Sequence, residues 1–227
     1  MPVCGKCLQS PEPLHAEFFC KTCHAPFLNH FPLDQDGNCL LCRLGLNGFD
    51  SVYAFGSYEG NLRELIHLLK YNGMTPLSVP LGEMLRSVVP PEQRFDCVVA
   101  VPMHWRRRWS RGFNQSELLA RQIAKRWNIP LRPLLRRRKA TSPQVRLSNA
   151  KRRANLAGAF AFRGKLPANA RVLLVDDVVT TGATAAACAR VLKRAGAAHV
   201  ALATVARTDR RFVHGEIAAP AARMAGV

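Results

Sequence analysis

Acidic residues are scarce in this chain: 15 Asp and Glu stand against 33 Lys and Arg over 227 residues, a formal net charge of +18. Such an imbalance points to an anionic partner, either phosphates on a small molecule or nucleic acid. Long apolar runs are also missing. No stretch of 18 or more apolar residues occurs, which excludes a membrane-spanning helix. The opening MPVCGKCLQS lacks the apolar region of a secretory signal, so the expected location is the cytoplasm. Apolar residues nevertheless make up 48% of the chain, which excludes wholesale disorder, and the length suits one ordinary domain plus a small appendage.

What is present is unevenly spread. Between Val101 and Arg153 there are 16 Lys and Arg and a single acid, Glu117. The alternative to an anion-binding surface there is a merely solvated basic one. Six of the eight cysteines fall in the first 42 residues, as the CxxC pairs Cys4/Cys7, Cys20/Cys23 and Cys39/Cys42. In a cytosolic chain such pairs read as tetrahedral zinc ligands, because a two-residue spacer lets one turn aim both thiolates at one ion. A redox dithiol is the rival, but no βαβ pattern surrounds the pairs. Cys20, Cys23, Cys39 and Cys42 are expected to form the complete set. Cys4 and Cys7 either join a second site with His15 or His24 or are spare. Cys97 and Cys188, in apolar surroundings, read as inert core residues.

Hydrophobic patterning divides the chain into residues 1–48, a small zinc ribbon with little periodicity; residues 49–207, an α/β domain; and residues 208–227, a loose tail. Val52–Tyr58 reads as a strand. The following helix has Leu62, Leu65, Ile66 and Leu69 on one face, with Asn61 and Glu64 as a capping box and His67 as a structural residue. A second helix ends at Pro90 and Pro91, and DCVVAVP is a buried strand. MHWRRRWSRGF is expected as a loop leading to Asn114, the cap of QSELLARQIAKRW. LRPLLRRR, AFAF, RVLLV and HVALATVA read as strands, Ser148 as the start of a short helix, and Thr184–Ala195 as a helix. The alternation from about residue 95 onward predicts a parallel sheet with helices on its faces, whose ligands bind beyond the carboxyl ends of the strands.

The stretch RVLLVDDVVTTGAT places two adjacent carboxylates, Asp176 and Asp177, where an apolar strand is expected to leave the sheet. Such a pair is costly unless a cation or a hydroxyl-rich ligand binds it, and a ribose diol supplies two donors at a suitable separation. The TTGAT that follows opens a helix whose unpaired N–H groups favour an anion, with Gly182 permitting close approach and Thr180, Thr181 and Thr184 adding hydroxyls. The stretch is neither a P-loop nor a G-x-G-x-x-G fingerprint.

The run of four apolar residues, Asp-Asp, two apolar residues and Thr-Thr-Gly-x-Thr resembles the phosphoribosyl pyrophosphate (PRPP) site of type I phosphoribosyltransferases. VAVPMHWRRRWSRGFNQSELLA, LIHLLKYNG and RRRKATSPQVRLSNAKRRANLAGAF resemble the competence-associated ComF/GntX branch, over about Val52 to Arg207. The resemblance implies a type I phosphoribosyltransferase-like parallel sheet flanked by helices and preceded by a zinc ribbon. Members often carry four CxxC pairs where this chain has three. It further implies that Asp176, Asp177, Val178, Val179, Thr180, Thr181, Gly182, Ala183 and Thr184 bind PRPP with Mg2+. Arg106, Arg107, Arg108, Arg111 and Gln115 would hold pyrophosphate, with Asp176, Asp177 and Arg111 catalytic. The segment Arg136–Arg146 falls at the superfamily's mobile flap, and base selection would lie in Val52–Pro91.

Within the distinctive run from Arg111 to Gln115, Gly112 and Asn114 read equally as contacts or as a turn and a cap. Trp105 and Trp109 are read as covering an apolar edge in preference to stacking on bases. Three functions follow. The first is transfer of phosphoribosyl from PRPP to a nitrogen nucleophile with release of pyrophosphate. The second is a non-catalytic module binding PRPP and nucleic acid, with single-stranded DNA or DNA-uptake proteins as partners in competence or DNA handling. The third is a regulator that senses PRPP without turnover.

Overall fold

In the computed structural model, residues 3–27, 30–44, 48–138, 156 and 158–208 are described. The expected helix at Ser148, most of the Arg136–Arg146 flap and residues 209–227 of the tail lie outside them.

The amino-terminal segment carries a short helix α1 (Gly5–Gln9), a two-residue antiparallel pair β1 (Phe18–Phe19) and β2 (Pro26–Phe27), and a single turn α2 (Leu40–Arg43). Then come β3 (Ser51–Ser57), α3 (Gly60–Tyr71), a 3-10 turn (Thr75–Leu77), α4 (Ser78–Ser87) and β4 (Cys97–Ala100). The chain continues through α5 (Trp105–Arg111), α6 (Gln115–Trp127), β5 (Leu135–Arg137), β6 (Phe160–Phe162), β7 (Arg171–Val179), α7 (Ala183–Arg194) and β8 (His199–Arg207).

Four strands form one parallel sheet in the order β3-β8-β7-β4. These strands are near-continuous apolar runs, as expected where both faces are covered. One face carries α3, α4 and α6 through Leu62, Leu69, Leu81, Leu85, Leu119 and Ile123. Burying each of these side chains is worth about 1.5–3 kcal/mol. The other face carries α7 and the cysteine-bearing segment. Ala185, Ala186, Ala187, Cys188 and Ala189 are all buried, small side chains that let α7 lie close to the strands. Cys97 and Cys188 are buried in this core, as expected.

Four local expectations change. The β5–β6 pair is antiparallel and separate from the parallel sheet. Its Leu135 is buried and Arg136 exposed, the alternation of a strand with one wet face. Asn61 and Glu64 do not form a capping box: Glu59 is the N-cap residue of α3, and the Asn61 Nδ2 donates to Ser10 Oγ at 2.6 Å, tying α1 to the domain. The segment after Val101 is not a loop throughout, because residues 105–111 are helical. His104 caps that helix, its Nδ1 accepting from the Arg106 N–H at 3.3 Å, and Gly112 ends it at φ +81°. Finally, β7 does not stop at Val175. Its pairing with β8 continues through Asp176↔Thr204 to Val179↔Arg207, so both aspartates belong to the strand.

Candidate functional site

The aspartate pair sits near the carboxyl end of β7, and the two carboxylates do different things. Asp177 is buried, and its Oδ2 lies 2.8 Å from Lys70 Nζ. Asp176 opens partly to solvent; its Oδ1 accepts from Ser116 Oγ at 2.9 Å and from the Asp177 N–H at 3.0 Å. The Val178 N–H donates to Asp177 Oδ1 at 2.9 Å. Burial, then the neighbouring Asp177 carboxylate, pushes the Asp176 carboxyl up to about 8, against the pull of Ser116 and Lys70. For Lys70, burial opposes the charge, but Asp177 with Asp176 outweighs it and raises the ammonium above the usual lysine range.

Lys70 was not singled out in the sequence, although a signal existed. It lies four residues beyond Ile66 on the apolar stripe of α3, so its stem enters the core side of the helix end. The cation that relieves the aspartate pair is thus part of the chain.

Beyond β7 the backbone turns through Gly182, at φ +75°, into the N-terminus of α7. The positive φ suits glycine, and the turn it makes lets residues of the helix start line a small concavity. That concavity, about 60 Å³, is lined by Asp176 and Val178 through Ala185. The structure therefore brings together every expected PRPP-binding residue except Asp177, which faces Lys70 instead. Ala183 N–H is 3.4 Å from Thr181 Oγ1, and the Gly182 carbonyl accepts from Ala186 at 2.8 Å.

The basic segment flanks this corner. Arg111 Nη1 donates to Gln115 Oε1 at 2.8 Å, and its guanidinium lies 4.9 Å from the centre of the Tyr71 ring, next in sequence to Lys70. Asn114 is a cap: it accepts from the Ser116 N–H at 3.2 Å and donates to the Val101 carbonyl at 3.0 Å. Its hold on Ser116 also fixes the hydroxyl that reaches Asp176. Arg106 stacks over Trp105 at 5.3 Å, whereas Arg108 pairs with Glu117 at 3.1 Å. Burial and the nearby Arg107 push the Arg137 guanidinium below the usual arginine range, while Cys188 and Asp176 act the other way. Arg137, not singled out in the sequence, lies on β5 with its guanidinium 5.5 Å from the centre of the Phe160 ring. His104 is held below the ordinary imidazole range by burial and by Arg137, Arg106 and Arg107, which keeps its Nδ1 able to accept.

The tryptophans do not cover an apolar edge. Trp105 is 57% exposed and Trp109 83%, because no residue of α5 is buried and the helix stands off the core. On the side of α5 toward β5 lies a cleft of about 470 Å³, lined by Arg108, Arg121, Arg132, Arg136, Arg137 and Arg163, with Trp105 and Glu117 also in its wall.

Far from these groups in sequence, Cys20, Cys23, Cys39 and Cys42 form one cluster with all Sγ atoms within 4.8 Å of one another. The Cys20–Cys42, Cys23–Cys39 and Cys39–Cys42 separations are each 3.6 Å. A tetrahedron with Zn–S bonds near 2.3 Å has edges of about 3.8 Å, so the four sulfurs fit such an ion. Backbone N–H groups of Cys23 and Cys39 point at Cys20 Sγ, at 3.5 and 3.3 Å. Hydrogen bonds from Cys23, Cys39 and Cys42 hold the Cys20 thiol well below its ordinary range. Cys4 and Cys7 stand apart, exposed on α1 with their sulfurs 3.3 Å from each other. Among the described residues they join no group of three or more ligating side chains, and His24 is stacked on Phe19 at 4.4 Å.

A parallel sheet whose β7 ends in paired acids and a Thr-Thr-Gly turn defines a type I phosphoribosyltransferase-like protein. The profile of the phosphoribosyl transferase domain family matches residues 114–218. DNA utilization protein YhgH of Escherichia coli K12 is 33% identical over 218 residues, 91% of this chain and 89% of the relative. Competence protein F of Haemophilus influenzae is 32% identical over 181 residues, 75% of this chain and 77% of the relative. The adenine phosphoribosyltransferase of Thermoanaerobacter pseudethanolicus superposes with a TM-score of 0.40 at 18% identity, over 65% of this chain and 79% of that one. The chain belongs to the ComF family, together with YhgH and competence protein F. Among the described residues no helix is long and apolar enough to cross a membrane.

Proposed function

We propose that this protein binds PRPP and transfers its phosphoribosyl group to a nitrogen nucleophile. The C1'–O bond to pyrophosphate breaks, a C1'–N bond forms, and the nucleophile gives up a proton. The observation that carries this reading is the single concavity shared by Asp176 and the turn at the start of α7. Amide groups of residues 182–184 and the hydroxyls of Thr180, Thr181 and Thr184 suit the 5'-phosphate. Asp176, with Asp177 once it exchanges Lys70 for ligand, accepts from the ribose hydroxyls. Arg106, Arg107, Arg111 and Arg137, with Gln115 orienting Arg111, offset the charge that develops on pyrophosphate. The same acids are the residues that would hold Mg2+ with the substrate, and the ion would supply further charge relief on the leaving group. Zinc at the four cysteines would be structural, and a reduced cytoplasm is the compartment in which those thiols persist. Calorimetry with PRPP and Mg2+ tests the reading. Wild type should bind and Asp177→Asn should bind far more weakly, with pyrophosphate released on addition of a suitable acceptor. Absence of PRPP binding by the zinc-loaded wild type would refute it.

A second reading, a nucleic-acid-binding module in competence or DNA handling, is favoured by the arginine-lined cleft beside the exposed Trp105 and Trp109. Such a surface suits a single strand, with phosphates in the cleft and bases on the indoles. Binding of a single-stranded oligonucleotide should quench tryptophan emission and weaken steeply with salt. It should be lost in Arg132→Glu/Arg163→Glu and kept in Asp176→Ala/Asp177→Ala. Salt-independent binding would count against this reading.

A further inference from the structure

One pair of cysteines is left over once the four-sulfur cluster is assembled. Cys4 immediately precedes α1 and Cys7 lies on it, so a single turn brings both side chains to the same side. Both are exposed, and their sulfurs are 3.3 Å apart. Among the described residues no third ligating side chain joins them, and His24, one candidate to complete a second metal site, is stacked on Phe19 instead.

The pair is held in place by contacts that involve no metal. Ser10 Oγ donates to the Cys7 carbonyl at 3.1 Å and accepts from Asn61 Nδ2 at 2.6 Å, which fastens the turn to the start of α3. Val3 and Leu8, on either side of the thiols, pack against the core that α3 covers. Further along, the Leu14 N–H donates to the Phe55 carbonyl at 2.6 Å. The four-cysteine cluster is anchored elsewhere: Arg207 Nη1 donates to the Cys23 carbonyl at 2.6 Å, at the end of β8. The two sets of thiols are therefore held by different contacts.

Two accessible thiols at this spacing have a chemistry that metal-bound thiolates lack. Closing a bond of about 2.05 Å between them takes an approach of roughly 1.3 Å, within the reach of side-chain rotation at the surface. The Cys7 backbone, and then its thiol, pull the Cys4 thiol below its ordinary range, while the Cys4 sulfur pushes Cys7 up. One sulfur is thus the readier thiolate and its neighbour keeps its proton, the division of labour that thiol–disulfide exchange requires.

We propose that Cys4 and Cys7 form a redox-active dithiol that exchanges with a low-molecular-weight disulfide of the glutathione disulfide type. The Cys4 thiolate attacks one sulfur of the incoming disulfide, whose S–S bond breaks and releases the first thiol. Cys7 gives up its proton and attacks Cys4 Sγ, and the mixed disulfide breaks to release the second thiol. Two protein thiols are oxidised to one disulfide, one small disulfide is reduced to two thiols, and the protons of Cys4 and Cys7 end on the departing sulfurs. The site is separate from the aspartate corner, and its chemistry is independent of the transferase reading.

Differential alkylation of the full-length, zinc-loaded protein tests this. The protein is equilibrated in glutathione buffers of rising disulfide content, quenched with N-ethylmaleimide, digested and weighed by mass spectrometry. The peptide carrying Cys4 and Cys7 should lose both alkylatable thiols together and appear lighter by two hydrogens, while the bound zinc is retained. Cys7→Ser cannot close the bond, so Cys4 should accumulate a glutathione adduct. Cys4→Ser should form its adduct about tenfold more slowly, because the better thiolate is gone. Four results would overturn the proposal: both thiols staying alkylatable at every disulfide content; a lasting glutathione adduct on the wild type; zinc loss and oxidation of Cys20, Cys23, Cys39 and Cys42 at the same disulfide content; or a second zinc equivalent that shields Cys4 and Cys7 from alkylation.

Discussion

Replacing Lys70 by methionine tests the electrostatics of the site without any ligand. Lys70 Nζ and Asp177 Oδ2 are 2.8 Å apart, with side chains only 14% and 6% exposed. Removing one partner of so enclosed a pair strands the other charge, at a typical cost of about 3–5 kcal/mol. Protonation limits the loss. Keeping a carboxyl neutral at pH 7 takes about 1.4 kcal/mol for each of roughly three pH units, or ~4 kcal/mol in all. Lys70→Met is therefore expected to lose about 3–4 kcal/mol at pH 7, a fall in melting temperature of roughly 6–16 °C for a chain of this size. The loss should shrink toward pH 4, where the stranded carboxyl takes up its proton without penalty. Adding Asp177→Asn to Lys70→Met should restore much of the stability, because the residue left behind is uncharged. Urea unfolding of wild type, both single variants and the double variant at pH 7 and pH 5 provides the assay. A loss below about 1 kcal/mol at pH 7, or one independent of pH, would show that Lys70 does not neutralise the aspartate pair.

Three further outcomes follow. With its folded-state carboxyl raised to about 8, Asp176 binds its proton more tightly folded than unfolded. Its contribution is thus fully present below the unfolded pKa and is lost as pH rises through about 8; the urea midpoint should fall over that window in wild type and stay flatter in Asp176→Asn. Chelation should release one equivalent of zinc per chain and expose the tryptophan-free cysteine segment to protease, and Cys42→Ser should abolish that equivalent; two equivalents would bring Cys4 and Cys7 into a second site. Gly182→Ala meets nothing closer than 3.9 Å, so its cost is conformational, about 1–2 kcal/mol from the φ of +75°, together with weakened binding of ribose 5-phosphate; a fully stable variant with native affinity would show that the positive φ is not required.

Much of this molecule was legible in its residues. The four-cysteine cluster follows from spacing, because a CxxC turn is short enough to fix its own geometry. The α6 helix from Gln115 to Trp127 with its Asn114 cap, the buried β4 run and the Thr-Thr-Gly turn are likewise local: periodicity, capping chemistry and a glycine at positive φ act within a few residues. Conformations in close competition were read less well. The segment from Trp105 to Arg111 looked like a loop because it has no apolar face, yet a capping histidine and a terminal glycine suffice for two turns of helix. The end of β7 was placed four residues early, at Val175 and not Val179, because Asp disfavours strands, while the ladder to β8 overrides that preference.

The sequence by itself determined the chemical inventory: the thiols for a metal, the paired acids and hydroxyl-rich turn for a sugar phosphate, and the excess of arginine for anions. Only the tertiary structure decided which groups meet. Lys70 lies 107 positions before Asp177 and Cys23 lies 184 before Arg207, and nothing local specifies either encounter. Such pairings arise because the parallel sheet brings strand ends from distant parts of the chain to one edge, where burial makes an unpartnered charge too costly to leave.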